Sequence, residues 1–222
     1  KTKIMKNLLQ LFLGLFLFAS PAHIEAGSRE QEMVDAIQKN YEAVDSFKAL
    51  FVQKAFVKMM NQVQETRGEV QIKKPGKMKW VYNSPDPQIL VSNEKTLWLY
   101  VPEDEQVIKM PMDNIYTSNT PALFLAGRGR LTQSFEVAQV TEDENQITLI
   151  LKPRDEEHSM QKLVLFADNK NYQITGSSVY DKLGNKTDIN FRKIRINEKI
   201  AESVFEFQVP EGVEIQDFTP NH

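Results

Sequence analysis

The sequence predicts an α+β fold that is mainly β: one helix, followed by a curved antiparallel sheet or incomplete barrel. Apolar residues alternate with a period of two in many successive segments, and turn residues separate these segments at hairpin spacing. A helical period occurs ahead of them. The stretch 67–107 is the most informative, because alternation places two sets of large side chains on one face of each of two strands. These sets are Met78, Trp80 and Tyr82, and Leu97, Leu99 and Val101.

The predicted helix runs from Arg29 to Ser46. Its apolar positions recur three and four residues apart, and Ser28 with Gln31 or Glu32 provides a plausible start. The positions are Met33, Val34, Ile37, Tyr41 and Val44. This spacing indicates one amphipathic helix with an apolar stripe.

Strands are predicted on both sides of one interruption. About five come first, beginning at Phe47, and the later segments are Phe135–Val140, Gln146–Lys152, Lys162–Ala167, Gln173–Tyr180, Lys186–Ile196 and Val204–Val209. Turn residues separate them at Lys74–Gly76, Ser84–Pro87, Ser92–Asn93 and Leu183–Asn185.

The interruption lies between Asp113 and Leu131. A short helix is predicted there, with polar caps before it, Pro121 in its first turn and glycine after it. Its residues after the proline are Ala122, Leu123, Phe124, Leu125 and Ala126. Since they leave no polar face, we expect this helix to lie against apolar surface or against a ligand.

Residues 1–26 have the layout of a secretory signal peptide. Lysines at the start precede the apolar run Leu8–Phe18, which is too short for a membrane-spanning helix, and Ala22 and Ala26 offer cleavage points. We therefore expect export, and a single domain over residues 27–222.

Charge and cysteine content narrow the possible functions. The formal net charge is −3, and loss of the lysine-rich leader would make the chain more acidic. Nucleic-acid binding is therefore not expected. The sequence contains no cysteine, so we expect no disulfides and no cysteine to carry the acyl chains of a lipoprotein.

Catalytic and metal-binding patterns are not evident in the sequence. Of the three histidines, only His158 would lie inside the fold, and it belongs to a charged loop segment. Ser159 lacks the glycine flanks of a nucleophile elbow, and the acidic clusters lack calcium-loop spacing. We therefore expect neither an enzyme nor a bound metal or cofactor.

A set of short motifs in order along the chain resembles the LolA family of periplasmic outer-membrane lipoprotein carriers. The most specific part is Leu90–Gln106, with Leu90-Val91-Ser92, Lys95-Thr96-Leu97-Trp98, Tyr100 and Glu105-Gln106. Weaker matches are Ser46-Phe47, Phe51, Gln53, Gly68, Lys73-Lys74-Pro75, Trp80, Pro85-Asp86, Asn119-Thr120-Pro121, Phe205, Phe207, Pro210 and Gly212-Val213.

The resemblance implies a half-open β-barrel in which helices form a lid over an apolar cavity. It implies a monomeric carrier that takes triacylated lipoproteins from the inner-membrane transporter LolCDE to the acceptor LolB. By the same resemblance the cavity is lined by Met78, Trp80, Ile37, Tyr41, Val44 and Leu99. The lid contains Pro121, Leu123, Phe124, Leu125 and Ala126.

Lys74 departs from the family pattern. The resemblance implies an arginine there that hydrogen-bonds lid carbonyls and holds the empty form closed. Lysine lacks the planar fork of arginine, so we expect a weaker or different latch. Met78 stands where an aromatic residue is usual, and we expect a more adaptable cavity from it.

Two other interpretations stay open on the sequence alone. Ile37 and Val44 are equally compatible with ordinary core packing. The alternative function is a periplasmic lipid-binding, glycolipid-binding or lipoprotein-sensing module with the same half-barrel.

Overall fold

Twelve β-strands and one long helix make up most of the computed structural model, which describes residues 22–112, 131–154 and 159–219. Helix α1 spans Ala22–Ala43. The next six elements are β1 (Ser46–Val57), β2 (Gln62–Lys73), β3 (Lys77–Ser84), β4 (Gln88–Asn93), β5 (Thr96–Val101) and β6 (Gln106–Pro111). Later elements are the helical turn α2 (Leu131–Ser134), β7 (Phe135–Glu142), β8 (Gln146–Pro153), β9 (Met160–Asp168), β10 (Ile174–Asp181), β11 (Lys186–Ile196) and β12 (Glu214–Asp217). Single 3₁₀ turns lie at Pro102–Asp104 and Glu202–Phe205.

Helix α1 begins and ends earlier than predicted. It starts at Ala22, inside the predicted signal peptide, where Ala22, Glu25 and Ala26 favour a helix and no proline lies between Ala22 and Ser28. It ends at Ala43 because Asn197 caps it: the side-chain amide donates to the Ala43 carbonyl at 3.1 Å and accepts from the Asp45 amide at 2.8 Å. Strand β1 therefore begins at Ser46.

Among the described helices, none combines the length and apolar character that a bilayer crossing requires.

The described strands form one open sheet in the order β12-β6-β5-β4-β3-β2-β1-β11-β10-β9-β8-β7. Two meanders, β1–β6 and β7–β11, meet where β1 pairs with β11 along most of their length. The two edges are β7 and β12. The sheet is curved and open, as expected for an incomplete barrel. The pairs are antiparallel except for β12 and β6, which are parallel.

One predicted strand is wrong. Residues 204–209 alternate like a strand, but Glu202–Phe205 is a 3₁₀ turn and the residues after it pair with no described strand. The alternation has another cause. Phe205 is buried against the sheet, and Phe207 stacks on the Trp98 ring with centroids 6.3 Å apart.

The two faces of the sheet have different covers. We call the face packed against α1 the inner face. It contains one large apolar core that spans both meanders. On the opposite, outer face of β3–β6, a second group of side chains joins residues of the sheet with residues of the C-terminal segment 198–218. This outer cluster consists of Val91, Trp98, Tyr100, Val107, Phe205 and Phe207.

Candidate functional site

A mainly apolar surface crosses β1–β5 on the inner face. Residues directly opposite each other in paired strands point to the same face, so register defines the rows. One row is Phe47, Ile72, Met78, Ser92 and Leu97, and the next is Ala49, Val70, Trp80, Leu90 and Leu99. The polar member, Ser92, is buried and donates to the Gly76 carbonyl at 2.8 Å. Neither row contains a charged side chain.

Four aromatic rings meet at the centre of this surface. The Phe51 ring lies edge-on to Trp80 at 5.0 Å and to Tyr82 at 5.1 Å between centroids, and Phe191 lies 6.3 Å from Trp80. Such tilted and edge-on pairs stabilise beyond the area that they bury. Burial raises the pKa of Tyr82 to about 12, so its phenol is neutral throughout the physiological range.

Gly68 makes room for the aromatic centre. It lies on β2 opposite Phe51 and Tyr82. A Cβ at this position would lie 2.0 Å from the Val81 carbonyl oxygen and 2.8 Å from the Phe51 ring. A side chain at this position would therefore displace either a backbone or the ring.

Helix α1 covers this apolar surface. Its stripe is buried, with Ile37 fully inaccessible and Tyr41 under one tenth exposed, and Val44, just after the helix, is buried as well. A cavity lined by Tyr41, Val44, Phe47, Lys74 and Ile174, among others, has a volume of ≈ 20 Å³. Ligand pockets in proteins usually measure about 300–1,000 Å³. A sizeable apolar ligand in this cavity would therefore require α1, or the chain beside it, to move.

Gln38 ties α1 to Leu131, the first residue of α2. Its side chain is 5% exposed, and its amide oxygen accepts from the Leu131 backbone N–H at 2.8 Å. The amide nitrogen donates to Glu42 at 2.7 Å. Near its other end, α1 contacts the edge strand β7 through Arg29 and Glu142, 2.6 Å apart.

Lys74 contacts the end of α1. Its Nζ donates to the Tyr41 carbonyl and lies 4.0 Å from the centroid of the Tyr41 ring. Burial lowers the pKa of Lys74, while the nearby carboxylates of Asp45 and Glu42 oppose that shift. In the described part of the chain, Lys74 therefore binds α1. The lid carbonyls that the family resemblance implies as partners at this position lie outside the described residues.

The structure brings five of the six predicted cavity residues together. Ile37, Tyr41, Val44, Met78 and Trp80 are all buried in the inner core, and Leu99 is partly buried at its margin. The predicted lid residues Pro121, Leu123, Phe124, Leu125 and Ala126 lie outside the described residues, as does His158. Their contribution to the site stays a prediction.

Sequence reasoning missed three important members of the site. Phe51 alternates with Phe47 and Ala49, so its position on the inner face was readable. Phe191 joins the cluster only because β11 pairs with β1, which no local pattern shows. Gln38 sits next to Ile37 at the edge of the helical stripe, where a polar residue is unremarkable.

The polar groups of the site do not resemble a catalytic or metal centre. Within the described ranges, no group of three or more His, Asp or Glu side chains lies where it could hold a metal ion. Tyr82 and Lys74 are the inner-face groups with shifted pKa values, and burial is the leading cause for both. The arrangement therefore suits the binding of apolar ligands.

Comparison with known proteins points to one family. The model of the family "Outer membrane lipoprotein carrier protein LolA" matches residues 42–208. An outer-membrane lipoprotein carrier protein from Azotobacter vinelandii is 31% identical over 209 residues, covering 93% of this chain and 99% of its own length. Its counterpart from Pseudomonas aeruginosa PAO1 is 30% identical over 214 residues, covering 95% and 99%.

A solved structure supports the fold alone. An uncharacterized conserved protein from Thermus thermophilus superposes with a TM-score of 0.53 at 12% identity, covering 84% of this chain and 98% of its own.

Proposed function

We propose that this chain is a periplasmic chaperone for lipoproteins. It belongs to the LolA family of outer membrane lipoprotein carrier proteins. It binds the acyl chains of lipoproteins after release from the inner membrane and delivers them to an outer-membrane acceptor. The observation that carries this proposal is the uncharged, largely buried apolar surface across β1–β5, held beneath α1.

The physical problem that such a carrier solves is large. Each buried methylene contributes about 0.8 kcal/mol, so one long acyl chain exposed to water is unfavourable by roughly 10 kcal/mol. Several chains on one cargo multiply that figure. The inner face offers apolar rings and branched side chains, with Met78 as an adaptable member.

Release requires a cover that moves. In the described residues, α1 forms no backbone ladder with the sheet, and Gln38, Lys74 and Arg29 supply its polar attachments to the rest of the fold, along with Asn40 and the Asn197 cap. Displacing such a helix breaks side-chain contacts and no strand pairing among the described residues, while the apolar surface that it exposes is taken up by cargo. We infer that α1 moves to open Met78 and Trp80 to cargo. The lid role of Pro121, Leu123, Phe124, Leu125 and Ala126 stays a prediction from the family resemblance.

The finer assignments follow from the family resemblance. The cargo is triacylated, the donor is the transporter LolCDE, and the acceptor is the lipoprotein LolB. Residues 1–26 act as the export signal, with cleavage at Ala22 or Ala26, and the carrier works as a monomer. The alternative sensing or glycolipid-binding role is not favoured, because the relatives matched over nearly their whole length are named carriers.

A transfer assay tests the proposal. Inner-membrane vesicles carrying a radiolabelled lipoprotein and the donor transporter are supplied with ATP and the purified protein, and the label in a soluble complex is measured by gel filtration. We expect stoichiometric soluble complex. Label that stays in the membrane pellet under these conditions would contradict the proposal.

Two methionines provide a matched pair for this assay. Met78 is 1% exposed on the inner face, whereas Met59 is 92% exposed at a hairpin. Met78→Glu places a charge on the binding surface and should abolish complex formation, while Met59→Glu should leave it unchanged. Circular dichroism of both variants separates loss of binding from loss of folding. Equal uptake by two folded variants would contradict the assigned surface.

A further inference from the structure

The indole N–H of Trp80 has no hydrogen-bond partner among the described residues, although the side chain is completely buried. Buried donors are nearly always paired, and tryptophan in particular usually finds an acceptor when it is buried. An unpaired donor at the centre of the inner face therefore requires an explanation.

The side chains around Trp80 are aromatic or aliphatic. Trp80 is flanked by Phe51, Tyr82 and Phe191, and its cross-strand neighbours are Val70 and Leu90. A phenylalanine would serve this packing without leaving a polar atom unpaired. The indole N–H is thus placed where the hydrogen-bond acceptor that it lacks would be supplied by a bound ligand.

The proposed cargo carries acceptors of the right kind. Each acyl chain is joined to its lipoprotein through an ester or amide carbonyl, whose oxygen has lone pairs and accepts hydrogen bonds. When the chain enters an apolar site, that carbonyl loses water, and an unpaired buried acceptor is unfavourable. A hydrogen bond between the unpaired indole N–H and the unpaired carbonyl oxygen would then satisfy both groups.

We propose that the Trp80 indole N–H donates a hydrogen bond to an acyl carbonyl oxygen of the bound cargo, which anchors the root of one acyl chain at the aromatic centre. This inference rests on the proposed carrier function. It makes Trp80 a binding residue with a polar role, in addition to its apolar contacts.

Synthetic lipopeptides test this bond. Four probes share one peptide and equal chain lengths: two ester-linked chains with a free amine, two ether-linked chains with a free amine, and the N-acylated form of each. The ester probe offers ester carbonyls, the N-acylated ether probe offers an acyl amide carbonyl, and the plain ether probe offers neither. Their dissociation constants are measured for the full chain and for Trp80→Phe.

We expect Trp80→Phe to weaken binding of one carbonyl-bearing class about three- to tenfold more than binding of the plain ether probe. The class affected identifies the carbonyl as ester or amide. Trp98→Phe changes the other tryptophan, on the outer face, and should show no such difference. Because phenylalanine is smaller, benzothienylalanine at position 80 provides a second test, since it keeps the two-ring shape and lacks the N–H.

Spectroscopy reports on the bond directly. In the Trp98→Phe protein, Trp80 is the only indole, and the Raman band that is sensitive to indole hydrogen bonding should shift when a carbonyl-bearing probe binds. An unshifted band, or equal weakening of all four probes, would overturn the inference and leave the carrier function standing. Failure of the full chain to bind any probe would overturn both.

Discussion

The two faces of strands β3–β6 are covered in different ways. On the outer face, the C-terminal segment is fixed by the parallel β12–β6 ladder, by stacking of Phe207 on Trp98, and by ion pairs from Glu202 and Asp217. On the inner face, α1 lies on a larger apolar surface without any ladder, held by a few polar contacts in the described residues. The outer cover is part of the sheet through β12, whereas the inner cover, α1, only packs on it. A carrier needs both, because the sheet must keep its shape while the inner cover moves.

The largest expected effect separates the two tryptophans. Trp80→Ala removes a fully buried side chain from the inner core and should lower the free energy of unfolding by about 3–5 kcal/mol. Trp98 is half-buried and stacks on Phe207, so Trp98→Ala should cost less, about 1–2 kcal/mol. Urea unfolding measures both values.

Cargo uptake sharpens this contrast. Trp80→Ala should lose soluble complex with lipoprotein even at a temperature where it is folded, whereas Trp98→Ala should retain it. Reversed outcomes would mean that the outer face is the binding surface.

Gly68 is expected to give the next largest effect. A methyl group there would press on the Val81 carbonyl and the Phe51 ring, so Gly68→Ala should destabilise the protein by about 1–3 kcal/mol. Gly27→Ala is the matched control, since a Cβ there meets nothing within 4 Å. Thermal unfolding of both variants tests the prediction, and equal melting temperatures would show that the aromatic centre accommodates the methyl group.

The same contrast shows what the sequence was able to predict. Alternation placed Met78, Trp80 and Tyr82 on one face, and the structure buries the first two completely and packs Tyr82 against them. Alternation also marked Phe205 and Phe207, but it did not show that Phe207 packs on Trp98 and Tyr100, or that Phe205 is buried in a 3₁₀ turn and not in a strand. The spacing of apolar residues along the chain indicates which side chains are buried. It does not report what buries them, because the partner lies about a hundred residues away in the chain.

Acid should loosen the outer cover before the inner one. Hydrogen bonds from Lys73 and Lys77 lower the pKa of Glu202 from 4.5 to about 2, and Lys109 lowers that of Asp217 from 3.8 to about 2. A lowered folded-state pKa stabilises the fold above the unfolded value, and this contribution is lost as the pH falls from about 4.5 to about 2. The groups are exposed, so the effect is local and sensitive to salt.

The two tryptophans report on this difference. Between pH 5 and pH 2, the fluorescence of Trp98 in a Trp80→Phe protein should change at a higher pH than that of Trp80 in a Trp98→Phe protein. Glu202→Gln removes one of the titrating groups and should reduce the Trp98 change. A simultaneous transition of both indoles would contradict the separate behaviour of the two covers.

The smallest effect is expected at Lys74, where the inner cover is attached to the turn after β2. Nζ is a single point of attachment to the Tyr41 carbonyl and ring, and the planar fork of arginine would offer more donors at this position. Lys74→Arg should therefore slow amide exchange in the last turns of α1 about two- to fivefold and slow the transfer of bound lipoprotein to the acceptor. Lys77→Arg is the control, because Lys77 pairs with Glu202 and Glu94 and its ion pairs do not involve α1. Unchanged exchange and unchanged transfer in Lys74→Arg would show that Lys74 packs beside α1 without latching it, and that opening of the inner cover is controlled elsewhere.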